Sequence, residues 1–239
     1  PDEVAAFAEH PRRPELRSVF GHTGYLINIA APPSDNRDRS LRSLKEELLR
    51  ADALELPFLV LHPGAHLGDG ESAGLERAAA ALDAIWAEIP GARTRIALEI
   101  TAGQGTCLGH RFEHLAEIIG LSREPDRLVI CLDTAHLFAA GYDLSDEPAT
   151  AAVLREFDRL LGFKRLAALH LNDSKTALGS RVDRHEHLGK GKIGLGAFRH
   201  VMNHPKLRAI PKVLETPKGK ECLEDAENLA LLRGLVAPR

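Results

Sequence analysis

The stretch Leu128-Val129-Ile130-Cys131-Leu132-Asp133-Thr134-Ala135-His136 begins as five apolar residues, ends them on a carboxylate, and sets an imidazole one helical turn further on. It reads as a β-strand that turns directly into a helix, with Asp133 and His136 facing a common cavity. The same construction recurs outward from it. Leu16–His22, Leu56–His62, Ile96–Glu99, Leu166–His170 and Val213–Glu215 are further β-like runs, each finishing at its carboxyl side on His, Asp or Glu. With 12 His and 34 Asp plus Glu in 239 residues, six such endings in six runs are expected by chance roughly once in a hundred.

Between the runs lie segments with helical spacing. Asp2 to Glu9 reads as a helix end broken by Pro11 and Pro14, and Arg37 to Glu55 carries Leu41, Leu44, Leu48 and Leu49 on one face. Ala73 to Glu88, Arg111 to Gly120, Ala149 to Leu161, Leu195 to Met202 and Glu221 to Leu235 complete the set. Alternation of strand and helix without a low-complexity linker predicts one α/β domain over 1–239 with a parallel sheet. In an α/β barrel the strands point their carboxyl ends at one face, where such folds keep their chemistry. The expected fold is therefore a TIM (β/α)₈-type barrel. Six strands do not close eight, so the first one or two strands are expected to be missing before Pro1, leaving an N-terminally incomplete barrel. The chain is expected to be a monomer unless a partner completes that barrel.

Composition bounds the function classes. No apolar run reaches the roughly 18 residues of a membrane span, and Pro1-Asp2-Glu3-Val4 lacks a leader pattern, so a soluble, cytoplasmic protein without a membrane partner is expected. Cys107, Cys131 and Cys222 are odd in number and widely spaced, which indicates neither a disulfide framework nor a cysteine zinc site. The formal charge of −3 does not exclude nucleic acid, because divalent ions concentrated at one site would reverse it locally.

The strand ends supply His22, His62, Glu99, Asp133, His170 and Glu215; His136 and the pair in Asp183-Arg184-His185 raise the set to nine, five imidazoles and four carboxylates. The i, i+2 spacing of Asp183 and His185 in extended backbone projects both to one side. Such a mixture suits zinc or manganese, and carboxylates can bridge two ions. Nine ligands exceed one tetrahedral ion; two or three clustered ions are the arrangement that phosphoester hydrolysis uses.

Several strings in series, Gly21-His-Thr-Gly-Tyr-Leu-Ile-Asn28, His62-Pro-Gly-Ala-His66, Glu99-Ile-Thr-Ala-Gly-Gln-Gly105, Asp133-Thr-Ala-His136, His170-Leu-Asn-Asp173, Gly179-Ser-Arg-Val-Asp-Arg-His185 and Leu214-Glu-Thr216, closely resemble the endonuclease IV family of zinc-dependent apurinic/apyrimidinic endonucleases. The likeness runs from about residue 15 to 217 in the same order. It implies three zinc ions, with manganese an option at one site: His22 and His62 at the first, Glu99 bridging to the second, Asp133, His170 and Glu215 completing the second, and His136, Asp183 and His185 holding the third. It further implies hydrolysis, by hydroxide generated at the metals, of the phosphodiester 5′ to an abasic site in duplex DNA, with Glu99 catalytic. Flipping of the abasic nucleotide would use Tyr25 as a wedge, with Lys175 and Arg181 on loops placed to touch DNA.

Two departures from the family stand out. Its members begin with a strand, helix and strand to which nothing here corresponds, and Ile100 replaces the usual asparagine beside the bridging glutamate. Alternation turns Ile100 away from Glu99, which predicts altered support for the ligands rather than lost zinc. His10, His66, His110, His114, His187, His200 and His204 have no part in the constellation, although His66 is placed to orient a ligand and His187 lies close to His185. Gly103-Gln-Gly105 and Gly189-Lys-Gly191-Lys192 lack the spacing of a nucleotide phosphate loop. Two rival functions stand beside this one: a sugar isomerase or epimerase on the related xylose-isomerase-like barrel, which also places Glu, Asp and His at strand ends, and a truncated lesion-binding protein without turnover, for which the missing strands are the only evidence.

Overall fold

A computed structural model describes residues 2–9 and 18–238. Helix α1 (Asp2–Glu9) is followed by β1 (Gly21–His22), α2 (Asp35–Ala53), β2 (Phe58–Leu61), α3 (Glu71–Glu88), β3 (Arg95–Glu99), α4 (Phe112–Leu121), β4 (Leu128–Asp133), α5 (Thr134–Ala140), α6 (Glu147–Leu160), β5 (Leu166–His170), β6 (Asp173–Ser174), β7 (His185–Glu186), α7 (Leu195–Asn203), β8 (Lys212–Val213) and α8 (Leu223–Gly234). The main sheet has six parallel strands in the order β1-β2-β3-β4-β5-β8, while β6 and β7 pair antiparallel as a separate hairpin. It is a TIM-barrel-like wall that stays open, with β1 and β8 as its edges. Among the described residues no helix is long and apolar enough to cross a membrane.

The two faces of the sheet are lined differently, as a period of two requires. Leu59, Leu61, Ile96, Leu98, Ile130 and Leu132 turn outward into the helix layer, where Trp86, Phe112, Phe157 and Phe198 are fully buried. Phe58, Val60, Ala97, Val129, Cys131 and Ala168 form the inner cluster, with Phe20 packed against it. One more step of two along each strand carries the inner face from Val60 to His62, Ala97 to Glu99, Cys131 to Asp133 and Ala168 to His170. The alternation that builds the core thus also aims the polar strand ends into the barrel.

Strand β5 needs a correction to follow this rule. Ile130 pairs with Leu166 but Cys131 pairs with Ala168, so Ala167 is an extra residue on β5. A one-residue offset exchanges the faces of a strand. Without it, Ala168 and His170 would point outward with Leu166.

Several expected boundaries move. Of the described part of the run Leu16–His22, residues 18–22, only Gly21–His22 is strand; Leu16 and Arg17, like His10, Pro11 and Pro14, lie outside the described residues. Glu215 stands two residues beyond β8 rather than on it. Asp183 and His185 do not share one extended strand: His185 is in β7, whereas Asp183 sits in the loop of the hairpin.

Candidate metal centre

The loops that follow the strands shape the carboxyl face. Asn28, in the loop after β1, accepts from the N–H groups of Ala30 and Ala65 at 3.2 and 2.9 Å and donates to the Ala65 carbonyl at 3.0 Å, tying the first two strand-end loops together. Gly64, at φ +101°, is required there because a Cβ would meet Asn28 Oδ1. Asp133 caps α5, its Oδ1 accepting from the His136 N–H at 2.9 Å, which is why a carboxylate and an imidazole one turn apart share the cavity. The β6–β7 hairpin then folds Asp183 and His185 over them.

All nine side chains singled out above come together. Glu99 is fully buried and divides its two oxygens: Oε2 lies 2.9 Å from His22 Nε2 and 3.0 Å from His62 Nε2, while Oε1 lies 2.9 Å from His170 Nδ1. His170 Nδ1 is also 3.1 Å from Glu215 Oε2 and 3.8 Å from Asp133 Oδ2. Asp183 divides likewise, with Oδ2 3.2 Å from His136 Nε2 and Oδ1 3.2 Å from His185 Nε2. His22, His62 and Glu99 form one group, Glu99, Asp133, His170 and Glu215 a second, and Asp133, His136 and His185 a third, the donor atoms of each lying within 4.8 Å of one another.

The tautomers decide what these contacts are. His22 donates Nδ1–H to the Thr23 carbonyl at 2.8 Å, His136 to the Ile100 carbonyl at 2.9 Å, and His185 to the Glu215 carbonyl at 3.1 Å. While neutral, each ring would present a bare Nε2 lone pair to a carboxylate oxygen, acceptor against acceptor, so a positive charge, either a proton on Nε2 or a metal ion, must stand between them. Buried Glu99 Oε1, His170 Nδ1 and His185 Nε2 have no hydrogen-bond partner despite their short separations. This donor set fits divalent metal ions: imidazoles oriented by backbone carbonyls, shared carboxylates, and orphaned atoms aimed at common points.

Electrostatics point the same way. Burial alone would raise the Glu99 pKa, but the facing His62 and His170 imidazoles hold it well below the usual carboxylate range. Burial opposes charge on His185, yet Asp133 and Asp183 push it up to about 9, and His136 and His170 are raised for the same reason by Asp133 and Glu99 respectively. The Ile100 side chain packs into the outer core, as alternation required. Support for His136 at this position comes from the Ile100 carbonyl, which no side-chain change removes.

The remaining expectations fall outside this cluster. Tyr25 is 86% exposed at the tip of the loop after β1, and beside it Leu26, which sequence reasoning did not single out, is 77% exposed. Lys175 follows β6 and lies 3.9 Å from Glu186, and Arg181 takes a left-handed conformation in the hairpin loop. His66 does not orient a ligand; its Nδ1 accepts from the Gly68 and Gly70 N–H groups of its own loop. His187 turns away to Asn228. The N–H groups of Gly189 and Gly191 are taken by the buried Asp173 carboxylate, so that glycine loop has no free cradle for phosphate. Glu71, His110 and His114 also lie close together, but the Arg111 guanidinium sits 2.8 Å from Glu71 Oε2. Both ring nitrogens of His114 are already taken, Nδ1 by the Gly109 N–H and Nε2 by the Arg111 guanidinium and Glu71, which leaves neither for a metal.

Comparison with known proteins places this geometry. Residues 1–234 match the xylose isomerase-like TIM barrel family. The probable endonuclease 4 of Chloroflexus aggregans is 51% identical over 98% of this chain and 82% of its own length. The crystal structure of endonuclease IV from Thermus thermophilus superposes with a TM-score of 0.80 at 37% identity, over 98% of this chain and 81% of that one. A D-tagatose 3-epimerase-like protein superposes at 0.73 over 98% of this chain and 82% of its own, but at 17% identity it shares the fold alone.

Proposed function

This chain belongs to the endonuclease IV family on the xylose isomerase-like TIM barrel and is a DNA-repair apurinic/apyrimidinic endonuclease, and from that premise we propose that it hydrolyses the phosphodiester 5′ to an abasic site in duplex DNA with three zinc ions, manganese being able to replace zinc at one site. The single observation that supports the multi-metal reading best is Glu99, a fully buried carboxylate whose oxygens serve two different histidine groups. His22 and His62 hold the first ion with Glu99, Asp133, His170 and Glu215 hold the second with it, and His136, Asp183 and His185 hold the third.

When bound, such ions activate water as the nucleophile and neutralise charge gathering on the phosphate oxygens. The residues of the chain do the rest. Glu99 keeps two groups at a fixed separation, and the carbonyls of Thr23, Ile100 and Glu215 fix the rings that face it. Tyr25 and Leu26, standing clear of the surface side by side, fill the gap left when the abasic nucleotide leaves the stack. Lys175 and Arg181 contact backbone phosphates.

The rival sugar isomerase would have no use for the His136, Asp183 and His185 group, which favours the nuclease. Incubation of the zinc-loaded protein with a duplex carrying one abasic site, beside a panel of ketoses, separates the readings: strand cleavage leaving a 3′-hydroxyl is expected, and ketose turnover without cleavage overturns the proposal. Tight binding of the abasic duplex with no cleavage would instead support a lesion-binding protein without turnover.

A further inference from the structure

Asn172 is completely buried between three strand ends. It lies just past β5, the strand between β4 and β8. Its Nδ2 donates to Oδ2 of Asp133, the last residue of β4, at 2.5 Å, and its Oδ1 accepts from the Glu215 N–H, beyond β8, at 2.7 Å. A backbone N–H can only donate, so the amide cannot be turned round: Asn172 needs its oxygen for Glu215 and its nitrogen for Asp133. The peptide is locked as well, its N–H donating to Thr134 Oγ1 at 2.9 Å and its carbonyl accepting from the same hydroxyl at 2.6 Å.

We infer that Asn172 is a positioning residue that couples Asp133 and Glu215 into one half-site for the second metal ion. This rests on the multi-metal reading above. Glu215 has most need of it: its strand pairs through only two residues at the open edge of the sheet, its side chain is 36% exposed, and its backbone is gripped by Asn172 at the N–H and by His185 at the carbonyl. Aspartate in place of Asn172 would keep the acceptor for Glu215 and set an oxygen against Asp133; alanine would release both. Partners of ligands in this position typically contribute ten- to a hundredfold to metal affinity.

The test is titration of metal-depleted protein with Co²⁺, following its visible absorption bands and counting ions per chain. Asn172→Ala is expected to weaken one ion about ten- to a hundredfold while the ion at His22 and His62 keeps its affinity, and Glu215→Ala to weaken the same ion. In the double variant the losses should fall short of additive, because with the Glu215 side chain gone only the hold of Asn172 on Asp133 is left to lose. Should Asn172→Ala fail to fold, isosteric Asn172→Asp takes its place. Equal weakening of every ion, additive losses, or unchanged binding overturns the inference. A wild-type chain that takes up no Co²⁺ overturns the multi-metal reading beneath it, whereas selective weakening with unaltered incision would leave the inference standing and separate the second ion from the chemistry.

Discussion

At the scale of single residues, the centre leaves three buried atoms, Glu99 Oε1, His170 Nδ1 and His185 Nε2, without a hydrogen-bond partner. Glu99 is the extreme case, a carboxylate wholly removed from water and faced by His22, His62 and His170. Glu99→Gln keeps the volume but removes the charge that holds two groups together and turns one oxygen into a donor. Incision of abasic DNA is expected to fall at least about a hundredfold, with fewer divalent ions per chain by elemental analysis. Wild-type incision in the variant would refute the role given to Glu99. His114 carries the complementary lesson away from the centre. Burial, then His110 and Arg111, lower its pKa to about 4, against 6.5 in an unfolded chain. The unfolded chain therefore binds the extra proton between these values, so stability is complete above pH 6.5 and is lost as pH falls toward 4. Denaturant midpoints across that window should drop with a slope of at most about tenfold in the unfolding constant per pH unit. That slope should be absent from His114→Gln, and equal slopes in the two proteins would dispose of the assignment.

At the scale of elements, the bulge in β5 lets Leu166 face outward and His170 inward although they are four residues apart. Deleting Ala167 would restore continuous pairing with β4 and leave Ala168 and His170 facing inward opposite Cys131 and Asp133. The deletion variant is therefore expected to keep the ion shared by Glu99, Asp133 and Glu215. Loss of that ion by elemental analysis would show that the bulge itself shapes the site, beyond the facing it sets. The inner and outer faces, and the helices, were legible in the sequence because each repeats a period that apolar residues mark: Ala73 to Glu88 became Glu71–Glu88 and Leu195 to Met202 became Leu195–Asn203. The bulge was not, since Ala167 and Ala168 are both small and either could face the core. Nor was the β6–β7 hairpin, whose two-residue strands are too short to carry alternation. The ligand residues were readable from their positions at strand ends, but Asn172 and Leu26 were not, although both stood inside quoted motifs. A buried clamp reaching 39 and 43 residues along the chain leaves no local mark, and an exposed leucine is ordinary until its neighbours are known. Replacing Tyr25 and Leu26 together by alanine should weaken binding of the abasic duplex about tenfold or more, as loss of one to three kcal/mol of stacking would, with metal content unchanged. Equal affinity for the two proteins would remove the wedge.

At the scale of the whole molecule, the metal centre and the fold depend on each other. Glu99, Asp133, Asp183 and Glu215 converge from β3, β4, the hairpin and the edge beyond β8, so four negative charges press against the carboxyl face of an open sheet. Ions that bind only the folded chain stabilise it by mass action, about 4 kcal/mol at a thousandfold excess over the dissociation constant. For a chain of this size that corresponds to roughly 10 °C in melting temperature. Chelation is therefore expected to lower the melting temperature at neutral pH by about that amount, and restored zinc or manganese to recover it. The sign of the pH dependence follows from His185: held up near 9, it must give up its proton before Nε2 can take an ion. The gap between loaded and chelated protein should be widest above pH 9, where that proton is gone, and narrow steadily as pH falls through 9. A melting temperature indifferent to chelation across this range would mean that the nine side chains hold themselves together without help, and the acceptor-against-acceptor contacts at Glu99 and Asp183 would then need another source of positive charge.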